Sequence, residues 1–227
     1  MGQEAMQQGS GIDWTTGGVP VARQFGDPYF SLGNGLDETR HVFLAGNGLP
    51  GRFRPGFHIA ELGFGTGLNM LAALIAWRAS GQGGPLRFTS FEAFPLAAPD
   101  IALALALFPE AAAVAGPFLD QWAAGARNFA LDGLEAEVIV GDVADTLPVW
   151  PGCADAWFLD GFSPARNPGM WGESLMAQVA AHTMPGGSFA TYTAAGHVRR
   201  ALQAAGFQVT RSAGFGTKRH MSAGRLG

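Results

Sequence analysis

Only one cysteine, Cys153, occurs in 227 residues, so neither an internal disulfide framework nor a cysteine-ligated zinc site can form. That fits a reducing compartment. Charge is sparse, with Asp, Glu, Lys and Arg together making up 14% of the chain. Long apolar runs are missing as well. The longest, such as Ile101 to Phe108, fall well short of the roughly 20 residues a membrane helix needs. The opening residues, MGQEAMQQGSGIDW, show no basic stretch leading into an apolar core, so no secretory leader is expected. These absences point to a soluble cytoplasmic protein with no membrane and no metal partner.

Acids are also missing from the last part of the chain. All 18 Asp and Glu residues lie at or before Glu173, while beyond it come Arg199, Arg200, Arg211, Lys218, Arg219 and Arg225. The net charge of −4 argues against a nucleic-acid binder, but this asymmetry can mark a surface facing a polyanion. An ordinary solvated face is the competing explanation.

Apolar residues make up 48%, enough for the core of one α/β domain. Residues 1–55 read as an irregular N-terminal extension with one or two short strands, punctuated by Gly26-Asp27-Pro28 and Gly33-Asn34-Gly35. Residues 56–227 carry regular alternation. Strands are expected at Phe57–Leu62, Leu86–Glu92, Glu137–Val140, Asp155–Leu159 and Ser188–Tyr192. Helices are expected at Leu68–Ser80, Pro99–Phe108 (closing at Pro109), Leu119–Ala126, Glu173–Thr183 and Gly196–Ala205. A strand from Gly206 to Thr210 and a segment from Lys218 to Ala223 suggest a final antiparallel hairpin. Strands separated by helices imply βαβ crossovers, hence a mostly parallel, doubly wound α/β sheet of Rossmann-like type.

In such sheets ligands bind beyond the carboxyl ends of the strands, and acids stand there repeatedly. Glu61 precedes Gly63-Phe64-Gly65-Thr66-Gly67, a turn that lets a ligand approach the backbone and then starts a helix carrying Asn69. Glu92 ends the second strand, Asp142 follows the third and Asp160 the fourth. The third glycine comes one position too early for the dinucleotide pattern, and a carboxylate beside a pyrophosphate would be repelled. A carboxylate beside an ammonium would be attracted. An amino-acid-bearing nucleotide such as S-adenosylmethionine therefore suits the turn better than a nicotinamide cofactor. Glu92 is placed to accept from ribose hydroxyls and Asp142 from an adenine amino group. The stretch DAWFLDGFSPARNPGMW, Asp155 to Trp171, then takes a buried strand into a stiff loop with Phe162, Asn167 and Trp171 as a possible substrate wall. Trp171 also suits a core position at a helix start.

The segments Glu61–Asn69 (ELGFGTGLN), Ser90–Leu96 (SFEAFPL) and Asp155–Trp171 resemble the methyltransferase domain of the MnmC family, the bacterial tRNA 5-methylaminomethyl-2-thiouridine biosynthesis proteins. DPYFS at 27–31, GLDETRHVFL at 35–44, GHVRR at 196–200 and GFGTKR at 214–219 extend the likeness over nearly the whole chain. The resemblance implies a class I fold and S-adenosylmethionine-dependent methylation of the 5-aminomethyl group of a wobble uridine in tRNA. It also implies a separate or fused FAD-dependent oxidoreductase domain that is not in this chain. Ala93 and Gly169 depart from the Lys and Asp expected in the family, and Gly169 lies in the substrate-side loop. On this reading Asp160 is the catalytic acid–base group and also touches the cofactor, with Glu61, Gly63, Phe64, Gly65, Thr66, Gly67, Asn69, Glu92 and Asp142. Phe162, Asn167 and Trp171 face the substrate base, and Arg199, Arg200, Lys218 and Arg219 face tRNA phosphates. A methyltransferase for a small amine or a protein, and a non-catalytic tRNA-binding module, remain alternatives.

Overall fold

The computed structural model describes residues 11–31 and 34–227. The first ten residues and Gly33 of the expected Gly-Asn-Gly turn lie outside the described residues. Eight strands form one twisted sheet, in the spatial order Phe207–Ala213 (β10), His220–Leu226 (β11), Thr183–Thr191 (β9), Ala154–Leu159 (β8), His58–Leu62 (β4), Leu86–Glu92 (β5), Leu134–Val140 (β7) and Asn128–Leu131 (β6). Its parallel centre consists of β4, β5, β7, β8 and β9. The chain winds outward from β4 to β5 and β7, and returns on the other side through β8 and β9. The switch point therefore lies between β4 and β8, where a crevice opens above their carboxyl ends.

β4 and β8, at the middle of the sheet, are buried along their whole length because both faces are covered. β8 reads as a nearly unbroken apolar run, whereas β7 alternates buried and exposed residues. Period two sends Ala156 and Phe158 to one face of β8, and Trp157 and Leu159 to the other. The first face packs beneath α2 (Leu68–Ser80) and α4 (Pro109–Ala123), with Ile59, Leu71, Trp77, Phe88 and Phe118. The second packs beneath α6 (Glu173–Ala181) and α7 (Gly196–Ala204), with Trp150, Met176, Val179 and Leu202.

Several boundaries differ from the sequence expectation. Pro109 does not close a helix; it opens α4, after α3 (Ala98–Leu105) has ended. A proline tolerates the first helical turn because the N–H it lacks would have no partner there. The strand expected from Glu137 starts at Leu134 and pairs antiparallel with an unexpected β6 (Asn128–Leu131), through the two residues Asp132-Gly133. An Asp-Gly step between two alternating segments is a hairpin signal, and here it makes one. The Met184–Gly187 turn bulges out within β9, between the pairs Thr183↔Ala154 and Ser188↔Ala156. The final hairpin exists but is longer than expected, β10 (Phe207–Ala213) against β11 (His220–Leu226).

The N-terminal segment is more ordered than an irregular leader. Three short strands, β1 (Ile12–Trp14), β2 (Pro20–Ala22) and β3 (Asp27–Pro28), form a separate antiparallel sheet, followed by α1 (Gly35–Thr39) and a π-turn over Arg40–Leu44. Phe43 and Phe53 enter the same core as Phe158. Buried Asn47 donates to the carbonyls of Phe43 (2.9 Å) and Trp157 (3.2 Å) and accepts from Ser188 Oγ (2.6 Å), pinning the segment to the main sheet. No helix among the described residues is long and apolar enough to cross a membrane.

Phe158 is fully buried between the rings of Phe43 and Phe88, with centroids at 5.4 and 6.2 Å. Phe158→Ala takes away the ring that packs against both and is expected to cost about 3–5 kcal/mol. The urea-unfolding midpoint should fall accordingly, with an unchanged slope.

Candidate active site

β4 ends at Leu62, and the ladder continues for one more pair on each side: Gly63 N–H donates to Phe91 O (2.9 Å) and Asp160 N–H to Leu62 O (3.1 Å). The turn that follows needs glycine. Gly63, Gly65 and Gly67 have φ of 90°, 54° and 73°, where side-chain-bearing residues are strained. A Cβ on Gly63 would lie 2.5 Å from the carbonyl oxygen of Asp160, and one on Gly65 3.1 Å from the Tyr29 ring. This close approach of backbone to backbone brings β4 and the β8 acid loop together. Phe64 stacks on Trp122 (5.0 Å) in the core, which anchors the turn from below.

Above the turn is a cavity of about 690 Å³, lined by residues from every neighbouring strand end. Glu92 reaches it with both oxygens partly engaged: Oε2 accepts from Gly65 N–H (3.0 Å) and Oε1 from Phe94 N–H (2.8 Å). A carboxylate has further lone pairs, so hydroxyl donors can still be accepted. Asp142 sits at the rim and caps α5 (Val143–Thr146), accepting from Ala144 N–H at 2.9 Å. Thr66, Asn69, Asp160, Phe162 and Asn167 line the same cavity, and Gly169 stands at its edge.

Asp160 is half-buried, and its Oδ2 accepts from Asn69 Nδ2 at 2.7 Å. Burial pushes its carboxyl up to about 7, against the pull of the Asn69 hydrogen bond and of the Lys218 charge, while Glu38 pushes it further up. A carboxyl titrating near neutrality in a cavity is suited to taking and returning a proton.

Three of the expected site residues are corrected. Glu61 does not face the cavity. Period two turns it to the α2 side with Ile59, where it is fully buried, accepting from Asn69 Nδ2 (2.9 Å) and Ser90 Oγ (2.7 Å). Burial raises its carboxyl well above the usual range, and the charges of Asp160 and Glu92 add to that. Trp171 is 2% exposed and donates from Nε1 to the Phe162 carbonyl (2.8 Å), so it props the loop from behind and offers no stacking face. Lys218 turns into the cavity, where Nζ pairs with Glu38 Oε1 (2.7 Å) and lies 4.2 Å above the Tyr192 ring. It is committed there and does not point outward to phosphates. Arg199 is half-buried, and Arg200 and Arg219 are exposed; none of them lines the cavity.

Part of the wall has little signature in the sequence. Phe25 stacks on Phe162 at 4.7 Å, Tyr29 meets Phe162 edge-on at 5.2 Å, and half-exposed Phe94 stands 6.2 Å from Phe25. Ser163 N–H donates to Asp27 Oδ2 (2.7 Å) and Arg166 Nη1 to the Phe25 carbonyl (3.0 Å), tying the N-terminal sheet to the acid loop. Glu38 and Thr39 of α1 and Tyr192 after β9 complete the wall. The sequence hints are that 27–31 and 35–44 belong to family-like segments and that Tyr29, Phe30 and Phe43 are aromatics in an otherwise irregular leader, fit either to close over a cofactor or to plug the end of the sheet; all three line the cavity.

Five acids, Asp27, Glu38, Glu92, Asp142 and Asp160, line this cavity, and its one lysine is already paired with Glu38. Such a site repels a pyrophosphate and favours a cationic nucleoside. With the backbone of Gly63 and Gly65 exposed on its floor, the residues fit S-adenosylmethionine. The fold and site thus define a class I methyltransferase. A family model described as S-adenosyl-L-methionine-dependent methyltransferase matches residues 109–226, and the chain belongs to that family.

Within it, the chain is 49% identical to the tRNA 5-methylaminomethyl-2-thiouridine biosynthesis bifunctional protein MnmC of Caulobacter vibrioides, over 92% of this chain and 37% of that protein. It is 45% identical to the protein of the same name from Aeromonas hydrophila, over 94% and 35% respectively. It therefore spans little more than a third of these relatives' length. The crystal structure of MNMC2 from Aquifex aeolicus shares the fold, with a TM-score of 0.73 and 23% identity over 98% of this chain and 72% of that one.

Gly63→Ala should lower both thermal stability and S-adenosylmethionine affinity. Positive φ alone costs about 1–3 kcal/mol, and the Cβ clash with Asp160 adds to it. Gly83→Ala, where nothing lies within 4 Å of the added carbon, should change neither in differential scanning fluorimetry and calorimetry.

Proposed function

We propose that this chain transfers a methyl group from S-adenosylmethionine to the primary amine of a 5-aminomethyl-(2-thio)uridine at the wobble position of tRNA, giving the 5-methylaminomethyl product. The observation that carries this reading is the Asp160 carboxylate, held at the switch point between the glycine turn and an aromatic wall. The names of the relatives sharing 45–49% identity support tRNA as substrate class. An FAD-dependent oxidoreductase, fused or separate, is the proposed partner that unmasks the amine, and the bacterial cytoplasm the proposed location.

When bound, S-adenosylmethionine supplies a methyl carbon on positively charged sulfur, open to attack by an amine lone pair. Gly63, Gly65 and Thr66 would receive its amino-acid end, Glu92 its ribose and Asp142 its adenine, while Gly67, which faces the core rings of Phe64 and Phe118, would only start the helix behind them. An aminomethyl group is mostly protonated near neutral pH, so its lone pair must first be freed. Asp160 would attract the ammonium, orient it and take its proton first, leaving a neutral amine whose lone pair is free to receive the methyl group. Phe162, with Phe25 and Asn167 beside it, offers the face and the polar edge for an everted base. Outside the cavity, Arg199, Arg200 and Arg219 are the proposed phosphate partners.

Incubation with labelled S-adenosylmethionine and tRNA lacking the final methyl, followed by nucleoside analysis, tests the reading. Label in a small amine or a protein, or tRNA binding with no turnover, would overturn it. Asp160→Asn should bind S-adenosylmethionine yet lose about 10²–10⁴-fold in turnover. Asp160 must be ionised to act, so kcat/KM should rise with pH through an acid limb near 7. A bound cation favours the carboxylate, so saturating cofactor should move that limb to lower pH.

Replacing Arg199, Arg200 and Arg219 by Gln should raise KM for tRNA. The dependence of log affinity on log salt should flatten by about 0.7–0.9 for each phosphate that is no longer neutralised. Unchanged affinity and slope would make this segment ordinary surface.

A further inference from the structure

Asn69 is the second residue of α2 and spans two acids with a single amide. Its Nδ2 lies 2.7 Å from Asp160 Oδ2 and 2.9 Å from Glu61 Oε1, one N–H for each. Its Oδ1 is engaged from the other side by the Thr39 hydroxyl at 2.7 Å. Every polar atom of this buried side chain therefore has a partner, and the amide orientation follows from the set: reversed, it would aim an oxygen at both acids.

The two acids differ in everything else around them. Glu61 is 0% exposed, and its side-chain partners are the neutral Asn69 and Ser90. Among the described residues, no Lys, Arg or His pairs with it. Asp160 opens on the cavity and has the Lys218 cation nearby. The other titratable groups around Asp160 are Glu38 from α1, Glu92 across the cavity at the end of β5, and Tyr192, whose hydroxyl donates to Gly161 O (2.8 Å). An ionised carboxylate without a cation is far costlier to bury than a neutral acid.

We infer that Asn69 is a positioning residue: its amide holds the two acids together, and with Lys218 and the cavity on one side alone, Asp160 is the ionised acid of the site and Glu61 a neutral, buried one. This rests on the proposed reaction, in which Asp160 is the base, and deepens it. It also reverses the role that the sequence pattern suggests for Glu61: the acid before the glycine turn holds the amide in register and does not meet the cofactor as a carboxylate. Both acids respond to burial in the same direction, upward, but only Asp160 has a cation and the cavity to draw it back.

Carbon-13 NMR of the side-chain carboxyls in the free protein tests this without any turnover. Asp160 should titrate near 7, and Glu61 well above the usual carboxylate range. Glu61→Gln exchanges a neutral acid for a neutral amide, so the Asp160 midpoint should stay within about 0.3 pH unit. A fall of about one unit would mean that Glu61 carries charge, and would overturn the inference. Asn69→Leu removes the hydrogen bond to the charged form, so the Asp160 midpoint should rise by about one unit and the acid limb of kcat/KM should follow. Thr39→Val should shift it the same way by less, with Thr39→Ser restoring the parent value. An unmoved midpoint in Asn69→Leu would reduce Asn69 to a structural residue. Failure of the tRNA assay with intact titration behaviour would instead sink the reaction and leave this network standing.

Discussion

Two acids at the carboxyl ends of neighbouring parallel strands compete for one small polar space. β4 delivers Glu61 and β8 delivers Asp160, and the pairing of Leu62 with Leu159 fixes their separation. Two unscreened carboxylates cannot both be charged at such a place without repelling each other. One side-chain amide, from the first turn of α2, lies between them with one donor for each. α2 can bring it there only because Gly67 starts the helix with φ of 73° and Phe64 anchors the preceding turn on Trp122. The glycine turn thus has two tasks. It opens room for a ligand against the backbone, and it aims the helix start at the acids.

The N-terminal segment is part of the same arrangement. Thr39 and Glu38 are adjacent on α1 and both buried, yet they serve opposite flanks of Asp160. Thr39 completes the hydrogen bonding of Asn69, and Glu38 engages Lys218 from the turn between β10 and β11. One short helix therefore links the first and last parts of the chain across the site. The small N-terminal sheet does the same for the aromatic wall, through Phe25 on Phe162 and Asp27 on Ser163. An extension bound this way is a wall of the cavity, and its sequence is under the same chemical demands as the glycine turn.

Much of the parallel centre is legible in the sequence because β4, β5, β7 and β8 are short strand-like segments that each run into an acid or a glycine. Those ends also reveal the site, since Glu92, Asp142 and Asp160 do line one cavity. Orientation is less legible. Whether Glu61 faces the ligand or the helix behind it depends on strand parity relative to α2, which linear spacing does not state. Trp171 is an indole in a stiff loop on either reading, and only its bond to the Phe162 carbonyl turns it inward. Lys218 sits among basic residues in the sequence, and its commitment to Glu38 crosses 180 positions. Pro109 and the β6 hairpin escape the pattern for a local reason. A proline between two helical segments reads equally as a stop or a start, and Asp132-Gly133 as a turn or an ordinary loop.

The uneven charge along the chain bears on the proposed reaction. The cavity concentrates acids, with its only lysine neutralised by Glu38, so it favours a small cation at the reacting centre. The exposed cations Arg200, Arg211, Arg219 and Arg225 lie outside it, in the acid-free last part of the chain. A polyanion carrying one ammonium group would meet both fields in favourable order, phosphates on the outside and the amine within. A free small amine would use only the inner field, and an RNA without the amine only the outer one. On the proposed reaction, discrimination would come from needing both. The outer field is screened within about 8–10 Å at physiological salt, whereas the buried acids are screened far less. Salt should therefore act mainly on capture of the substrate, and proton concentration on the methyl transfer itself.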